Sequence, residues 1–460
     1  MSITRLRIEA AEMGLVRGVV AAGPQARSAA DPVRYALNFA KLGLVRNKDG
    51  EDVDVGPYLA RFRAWVGDEF VFRLEGLEDP RDLTAELVDL NRRVVELRQG
   101  LLEHHPLDRE SLEAEVTTRA LVVASGGGGG AGYVYPGCYE VLDNAGMVPG
   151  LMAGTSIGSL MGLFRAKSKA WDMGSMIAAA RRLTWGGVFR VLDVENRYGM
   201  PATLRLYLRS TLGPLFQHPD GRPLWLSDLE IPSIVVVTGI TLDALKHDLA
   251  WYEHLLDDEV RRGVMGTVRG MFKAFSILRE FLSKRDSLVD LALGSQPGTE
   301  DFDALDACGF SSSIPGIIHY DVLRDDPRMK RVLDDVYARY GVARMGEGGI
   351  VQNVPARAAW EAVQNGRLGR RNAFVLALDC FAPDASRLAW FPLQQAVRAA
   401  NVDADRRYCH LYVPLTRTLS PTQLVPSVQD AFNAIRWGRE QMGPHMNVVR
   451  EAMRPLPVVR

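Results

Sequence analysis

The sequence predicts an α/β domain on a mostly parallel central sheet, preceded by a helical region, and three observations predict it. From Ala120 onward, short apolar runs rich in β-formers alternate with stretches of helical period. The first of these runs passes straight into a glycine loop, Ser125 to Gly132, and then into a helix. Before residue 118 leucine and valine instead recur in alternating steps of four and three. The expected division is a helical N-terminal extension over 1–118, the α/β domain over 119–418 and a C-terminal helical segment over 419–460.

In the extension the clearest element is DLTAELVDLNRRVVELRQGLLEHHP, where Leu83, Leu87, Leu90, Val94, Leu97 and Leu101 fall on one stripe. Asp82 is the expected N-cap and Pro106 the stop. A stripe this short reads as an intramolecular packing face, and a homodimer through these helices is its other use. The strands expected after it are ALVVA from Ala120, GLMA from Gly150, IPSIVVVTGI from Ile231, AFVLALDCF from Ala373 and CHLYVPL from Cys409. A helical insertion is expected over 257–295 and a closing helix over 420–442.

Composition narrows the partners. With 47% hydrophobic and 24% charged residues, the 460-residue chain can bury a large core. Lys and Arg number 55 against 56 Asp and Glu, so no global field draws it to nucleic acid. The four cysteines are scattered without a CxxC pair, which argues against zinc and against a disulfide framework. No metal or cofactor is expected. Arg and Glu interrupt the apolar residues of the first 23 positions, unlike a secretory leader, and the expected compartment is the cytoplasm.

The run from Ala145 to Phe164 carries no charge and repeats glycine every fourth residue from Gly146 to Gly162. A membrane helix there would contain Pro149 and five glycines, each costing about 1 kcal/mol relative to alanine. A G-x-S-x-G turn fits better: Gly154 and Gly158 let a strand reverse sharply into a helix and expose Ser156 at the bend. The upstream loop, SGGGGGAG, can turn successive amides toward one point, which makes an anion site. Its G-x-G-x-x-G spacing lacks the following strand and ribose-binding acid of a dinucleotide site, and no GK[ST] is present. One reading uses both glycine features, an oxyanion hole from Gly127, Gly128 and Gly129 facing a Ser156 nucleophile.

These motifs, in order over roughly Ala120 to Pro355, resemble the patatin-like phospholipase family. The glycine loop carries Gly132 and Gly137 at the family's offsets, and GTSIGS follows about twenty residues later. SSSIPG, from Ser311, stands where the family has Ser-x-Ala-x-Pro, and GEGGIVQNVP, from Gly346, stands where it has an Asp-Gly-Gly or Asp-Gly-Ala turn ending in Asn-x-Pro. The resemblance implies a three-layer α/β/α fold and a Ser/acid dyad hydrolase of lipid acyl esters, without histidine or metal. It puts the nucleophile on Ser156 and the acid on Glu347, with Gly348 and Gly349 supporting the turn.

Glu347 departs from the family's aspartate. Its carboxylate lies one methylene, about 1.5 Å, further from the backbone, against a tolerance of roughly 0.5 Å for catalytic groups. A silent lipid-binding or scaffolding relative is therefore a second reading, and a transacylase a third. A triad of Ser156, Asp379 and His410 would follow the chain order of α/β-hydrolases. His319, in IPGIIHYD, is expected to be a pocket wall. Within the insertion, Val264, Val268, Met271, Phe275, Leu278 and Leu282 form a stripe beside Arg269, Lys273, Arg279, Lys284 and Arg285, a lid or a peripheral membrane contact.

Overall fold

The structure, a computed structural model, describes residues 2–75, 84–190, 197–245, 247, 251, 280–281, 287–386 and 390–460. The chain forms two compact units. The first gathers Met1–Val122, Trp360–Val375 and Pro444–Arg460, and the second Val123–Ala359 and Leu376–Gly443. The C-terminal stretch over 419–460 is thus shared between them.

In the first unit the leucine stripe lies on the helix Thr84–His104, which ends just before Pro106 removes an amide donor. Leu90, Val94 and Leu101 are fully buried against Tyr35, Phe39 and Phe62, and Leu87 and Leu97 pack on the same cluster. Each fully buried Leu or Val stabilises by about 1.5–3 kcal/mol, so the stripe serves this unit's own core. Asp82 and Leu83 lie outside the described residues. A hairpin interrupts the helices, β1 (Leu44–Arg46) pairing antiparallel with β2 (Asp52–Asp54). Its turn is made by Asn47, whose Oδ1 accepts from the amides of Asp49 and Glu51.

Charge holds the three segments of this unit. Arg371 grips Asp52 with both terminal nitrogens, at 2.7 and 2.6 Å. Arg34 donates to Glu451 at 3.2 Å. At the centre Glu12, fully buried, meets Arg119, Lys41 at 2.8 Å and Arg34 at 3.8 Å.

A seven-stranded sheet has most of its residues in the second unit, Ala120–Val122 and Ala373–Val375 being counted with the first. Its strands are β3 (Ala120–Ser125), β4 (Leu151–Thr155), β7 (Ser233–Ile240), β8 (Val289–Leu293), β10 (Arg344–Gly346), β11 (Ala373–Asp379) and β12 (Leu411–Pro414). Their order is β10-β7-β4-β3-β11-β12, with β8 also on β7. The β4–β7 and β11–β12 pairs are parallel, and β8 and β10 are antiparallel to β7. β7 is buried along its whole length, as expected of a strand covered on both faces. The helix Ile157–Ala166 packs on β4 and β7, and the helix Ala304–Ser311 on β7. The sheet is mostly parallel with helices around it, as the sequence predicts.

Three departures concern local signals. The insertion expected to be helical over 257–295 contains β8 at its end, where five residues pair with β7; a run this short does not declare its type by period. The amphipathic stripe proposed before it lies outside the described residues, apart from Glu280 and the buried Phe281. A second sheet, β5 (Phe189–Arg190), β6 (Ala202–Leu206) and β9 (Gly316–His319), has strands too brief to read from sequence. The closing helix runs Val428–Met442, later than expected, because it follows Pro421 and Pro426 and is capped by Ser427, whose Oγ accepts from the amide of Asp430 at 3.1 Å. Among the described residues no helix is long and apolar enough to cross a membrane.

Candidate active site

β4 ends at Thr155 and the helix Ile157–Ala166 begins two residues later, leaving Ser156 to make the whole reversal. It does so at φ 53° and ψ −128°, the one non-glycine residue with positive φ among the described residues. Such a conformation costs about 1–3 kcal/mol and persists only where the surroundings hold it. Here the Ser156 amide donates to Ser311 Oγ at 2.8 Å, and that hydroxyl donates in turn to the carbonyl of Val236 at 2.6 Å. The Ser156 carbonyl accepts from Ser159 Oγ at 2.6 Å. Gly154 lies in β4, and Gly158 opens the helix where a Cβ would stand 2.2 Å from the carbonyl oxygen of Ser125. Only glycine lets the elbow approach the glycine loop so closely.

Glu347 follows β10 and caps the short 3₁₀ turn Gly348–Ile350. Its backbone is pinned on both sides: the amide donates to Ser313 at 2.7 Å, and the carbonyl accepts from Thr238 Oγ1 at 2.7 Å. The carboxylate folds back on its own turn, Oε1 accepting from the Gly349 amide at 3.1 Å, while Oε2 accepts from Ser156 Oγ at 3.1 Å. The extra methylene is thus taken up by the fold-back, and the two side chains meet at hydrogen-bond distance. Burial pushes the Glu347 carboxyl up to about 8, and the Gly349 amide and Ser156 hydroxyl offset only part of that rise.

The glycine loop lies against this pair. A Cβ on Gly127 would stand 3.1 Å from Ser156 Cβ and 2.9 Å from Asn353 Oδ1. The Gly127 amide, expected to serve an oxyanion, already donates to the carbonyl of Asn353 at 3.0 Å, so the hole narrows to two donors. Gly128 and Gly129 have amides without a partner among the described residues, and Gly129 lines the adjoining cavity. Gly132, within the turn Gly129–Val134, packs against Ile157.

Ser156 opens into a cavity of about 1110 Å³ of empty space, part of it open to solvent. Its walls are apolar almost throughout, among them Leu160, Phe164, Met176, Leu206, Ile318 and Phe432. Ser156, Ser312 and Tyr133 bring hydroxyls to this lining, and its other side chains are apolar.

A family model for patatin-like phospholipases matches residues 123–360, just over half of the chain. The chain belongs to the patatin-like phospholipase family. That family is one of lipid acyl hydrolases. A search of curated proteins finds no significant match.

The structure does not assemble the alternative triad. The register of β11 on β12 pairs Leu376 with Leu411 and Asp379 with Pro414, so His410 precedes the first pair while Asp379 sits at the last. That is about four residues, or roughly 13 Å along the strand. The Asp379 carboxylate accepts instead from Tyr412 at 2.5 Å and the Phe381 amide at 2.8 Å. His319 is not a wall of the cavity either. It is buried with Nδ1 2.8 Å from the carbonyl of Met200, and burial lowers it to about 4.

Two supporting residues were not legible as such. Ser311 stood in the SSSIPG resemblance, but nothing in the spacing announced its bond to the Ser156 amide. Asn401 gave no signal at all. It is fully buried on the π-turn Arg398–Val402, beyond the patatin-matched segment. Its Nδ2 donates to the carbonyls of Gly349 and Ile350 at 2.9 and 3.2 Å, and its Oδ1 accepts from the Asn353 amide at 3.0 Å. It therefore clamps the turn that carries Glu347, an example of a π-turn beside a candidate site.

Proposed function

We propose that the protein is a serine hydrolase of lipid carboxylic esters, acting through a Ser156–Glu347 dyad. The observation that carries this reading is the strained Ser156, bonded to Glu347 at 3.1 Å and facing an apolar cavity. Ser156 Oγ attacks the ester carbonyl carbon while its proton passes to Glu347. The amides of Gly128 and Gly129 receive the oxyanion of the tetrahedral intermediate. Collapse expels the alcohol, which takes the proton from Glu347 and leaves an acyl ester on Ser156. Water then attacks that ester, again giving its proton to Glu347, and release of the fatty acid returns the proton to Ser156.

A carboxyl raised to about 8 is mostly protonated at neutral pH, so the base is scarce there but strong when ionised. The proposed enzyme should therefore be slow at neutral pH and faster above about 8. The test is fluorophosphonate labelling together with hydrolysis of a short-chain ester. Wild-type protein should label and turn over, and Ser156→Ala should do neither while keeping its thermal unfolding profile. Folded wild-type protein inert in both assays would refute the hydrolase reading.

A further inference from the structure

The stretch from Met173 to Arg190 alternates between the cavity and the outside. The helix Met173–Arg182 contributes Met176, Ile177 and Ala180 to the cavity wall. Arg181 follows Ile177 by four residues, one turn further along the same face. Arg181 and Arg182 are exposed and have no ion pair among the described residues. Leu183, Val188 and Phe189 return to the wall. Between them Trp185 is 51% exposed, its ring tilted 37° to that of Phe189 at 4.8 Å between centroids. Arg190, also exposed, lies over the Tyr207 ring at 4.7 Å. No Asp or Glu occurs in the stretch. The nearest acid along the chain before it, Asp172, is engaged with Ser175 as the helix cap.

We propose that Arg181, Arg182, Trp185 and Arg190 form a rim that docks on the surface of an anionic phospholipid bilayer and sets the cavity mouth against the lipid. This rests on the reading of Ser156 as a lipid ester hydrolase. Charge complementarity selects the partner: the charged residues of the rim are all arginines, whose weakly hydrated guanidinium groups suit phosphate. The half-exposed indole has the character of a side chain that settles at the headgroup level. The wall residues of the same stretch then place the acyl cavity behind the contact.

The test uses the full chain carrying Ser156→Ala, so that lipid stays intact, sedimented with vesicles of phosphatidylcholine alone or mixed with phosphatidylserine. Binding should require phosphatidylserine and weaken with salt. Adding Arg181→Gln with Arg182→Gln should weaken it by roughly 30-fold, the combined worth of two cations at an anionic surface. Trp185→Ala should also weaken it, by less. In the Ser156 background the same rim changes should leave hydrolysis of a soluble short-chain ester at the wild-type rate. Absent phosphatidylserine dependence, or rim variants that bind as their parent does, would overturn the proposal. Rim-dependent binding by a protein that cleaves no soluble ester would uphold the docking surface and remove the hydrolase reading alone.

Discussion

Glu12 and Glu347 are the same residue type, each buried, one in each unit, and their surroundings treat them oppositely. Burial alone would raise both carboxyls. Around Glu12 the cations Arg119, Lys41 and Arg34 outweigh that effect and hold its carboxyl below the usual range. Around Glu347 there is one amide and one hydroxyl, and the carboxyl rises to about 8. The first arrangement makes a carboxylate that stays charged and holds helices together. The second leaves an acid whose one hydroxyl partner among the described residues is Ser156, as the proposed base requires. A buried acid is thus a structural tie or a chemical base according to whether cations came with it.

The largest expected effect separates these roles directly. Glu347→Gln keeps the shape of the side chain but cannot accept the Ser156 proton, so turnover should fall by about 100- to 10,000-fold, as measured on a soluble ester. Below the ordinary carboxyl value of 4.5 stability should barely change, since the amide resembles the protonated acid. Glu12→Gln should do the reverse. It leaves Arg119 buried with its partner's charge removed, beside the neutral Asn38 and Asn372, and should cost about 3–5 kcal/mol in denaturant unfolding. Turnover by the folded fraction should be preserved. Equal losses of turnover in the two variants would break the comparison.

The pH dependences have opposite signs. A raised carboxyl contributes stability that is complete below its ordinary value of 4.5 and is lost as pH climbs through about 8. A depressed one contributes stability present above 4.5 and lost as pH falls below it. Unfolding free energy measured across pH should therefore lose its decline between about 4.5 and 8 in Glu347→Gln and part of its acid decline in Glu12→Gln. In the wild type kcat/KM should climb with pH to a plateau above about 8, the ionised form being the base.

A smaller effect is expected at Asn401. Asn401→Asp retains an acceptor for the Asn353 amide but loses the donors to Gly349 and Ile350, and adds charge beside the Glu347 turn. We expect kcat to fall by about tenfold, the worth of roughly 1.4 kcal/mol, with KM little changed and the midpoint of the pH profile moved upward. A variant with lowered stability but an unmoved midpoint would show Asn401 to be a packing residue only. Smallest of all, His410→Ala should leave the chemical step at wild-type rate, and a collapse of turnover there would restore the triad.

Much of the fold and site was legible because it is local. The strands β3, β4, β7, β11 and β12 announce themselves as short β-rich runs, and the elbow at Ser156 as two glycines spaced around a serine. The helix Thr84–His104 is written in its leucine period. The hairpin at Asn47, the second sheet and β8 were not legible, since two to five residues carry too little period to compete with their neighbours. His410 shows the limit from the other side. Its chain order suited a triad, but strand register placed it at the wrong end of β12.

By itself the sequence determined where the strand-to-helix turns fall, which loop can turn its amides inward, and which serine stands at the bend, because backbone freedom and side-chain period are properties of neighbouring residues. Tertiary structure alone decided that Glu347 reaches Ser156 despite its extra methylene, that Gly127 has already spent its amide on Asn353, and that Asn401 holds the turn. It also decided which buried glutamate would be surrounded by charge. The cations around Glu12 come from positions 34, 41 and 119, and the hydroxyl at Glu347 from position 156. The charge state of a buried acid depends on the distance to such partners, which packing sets and residue spacing does not encode.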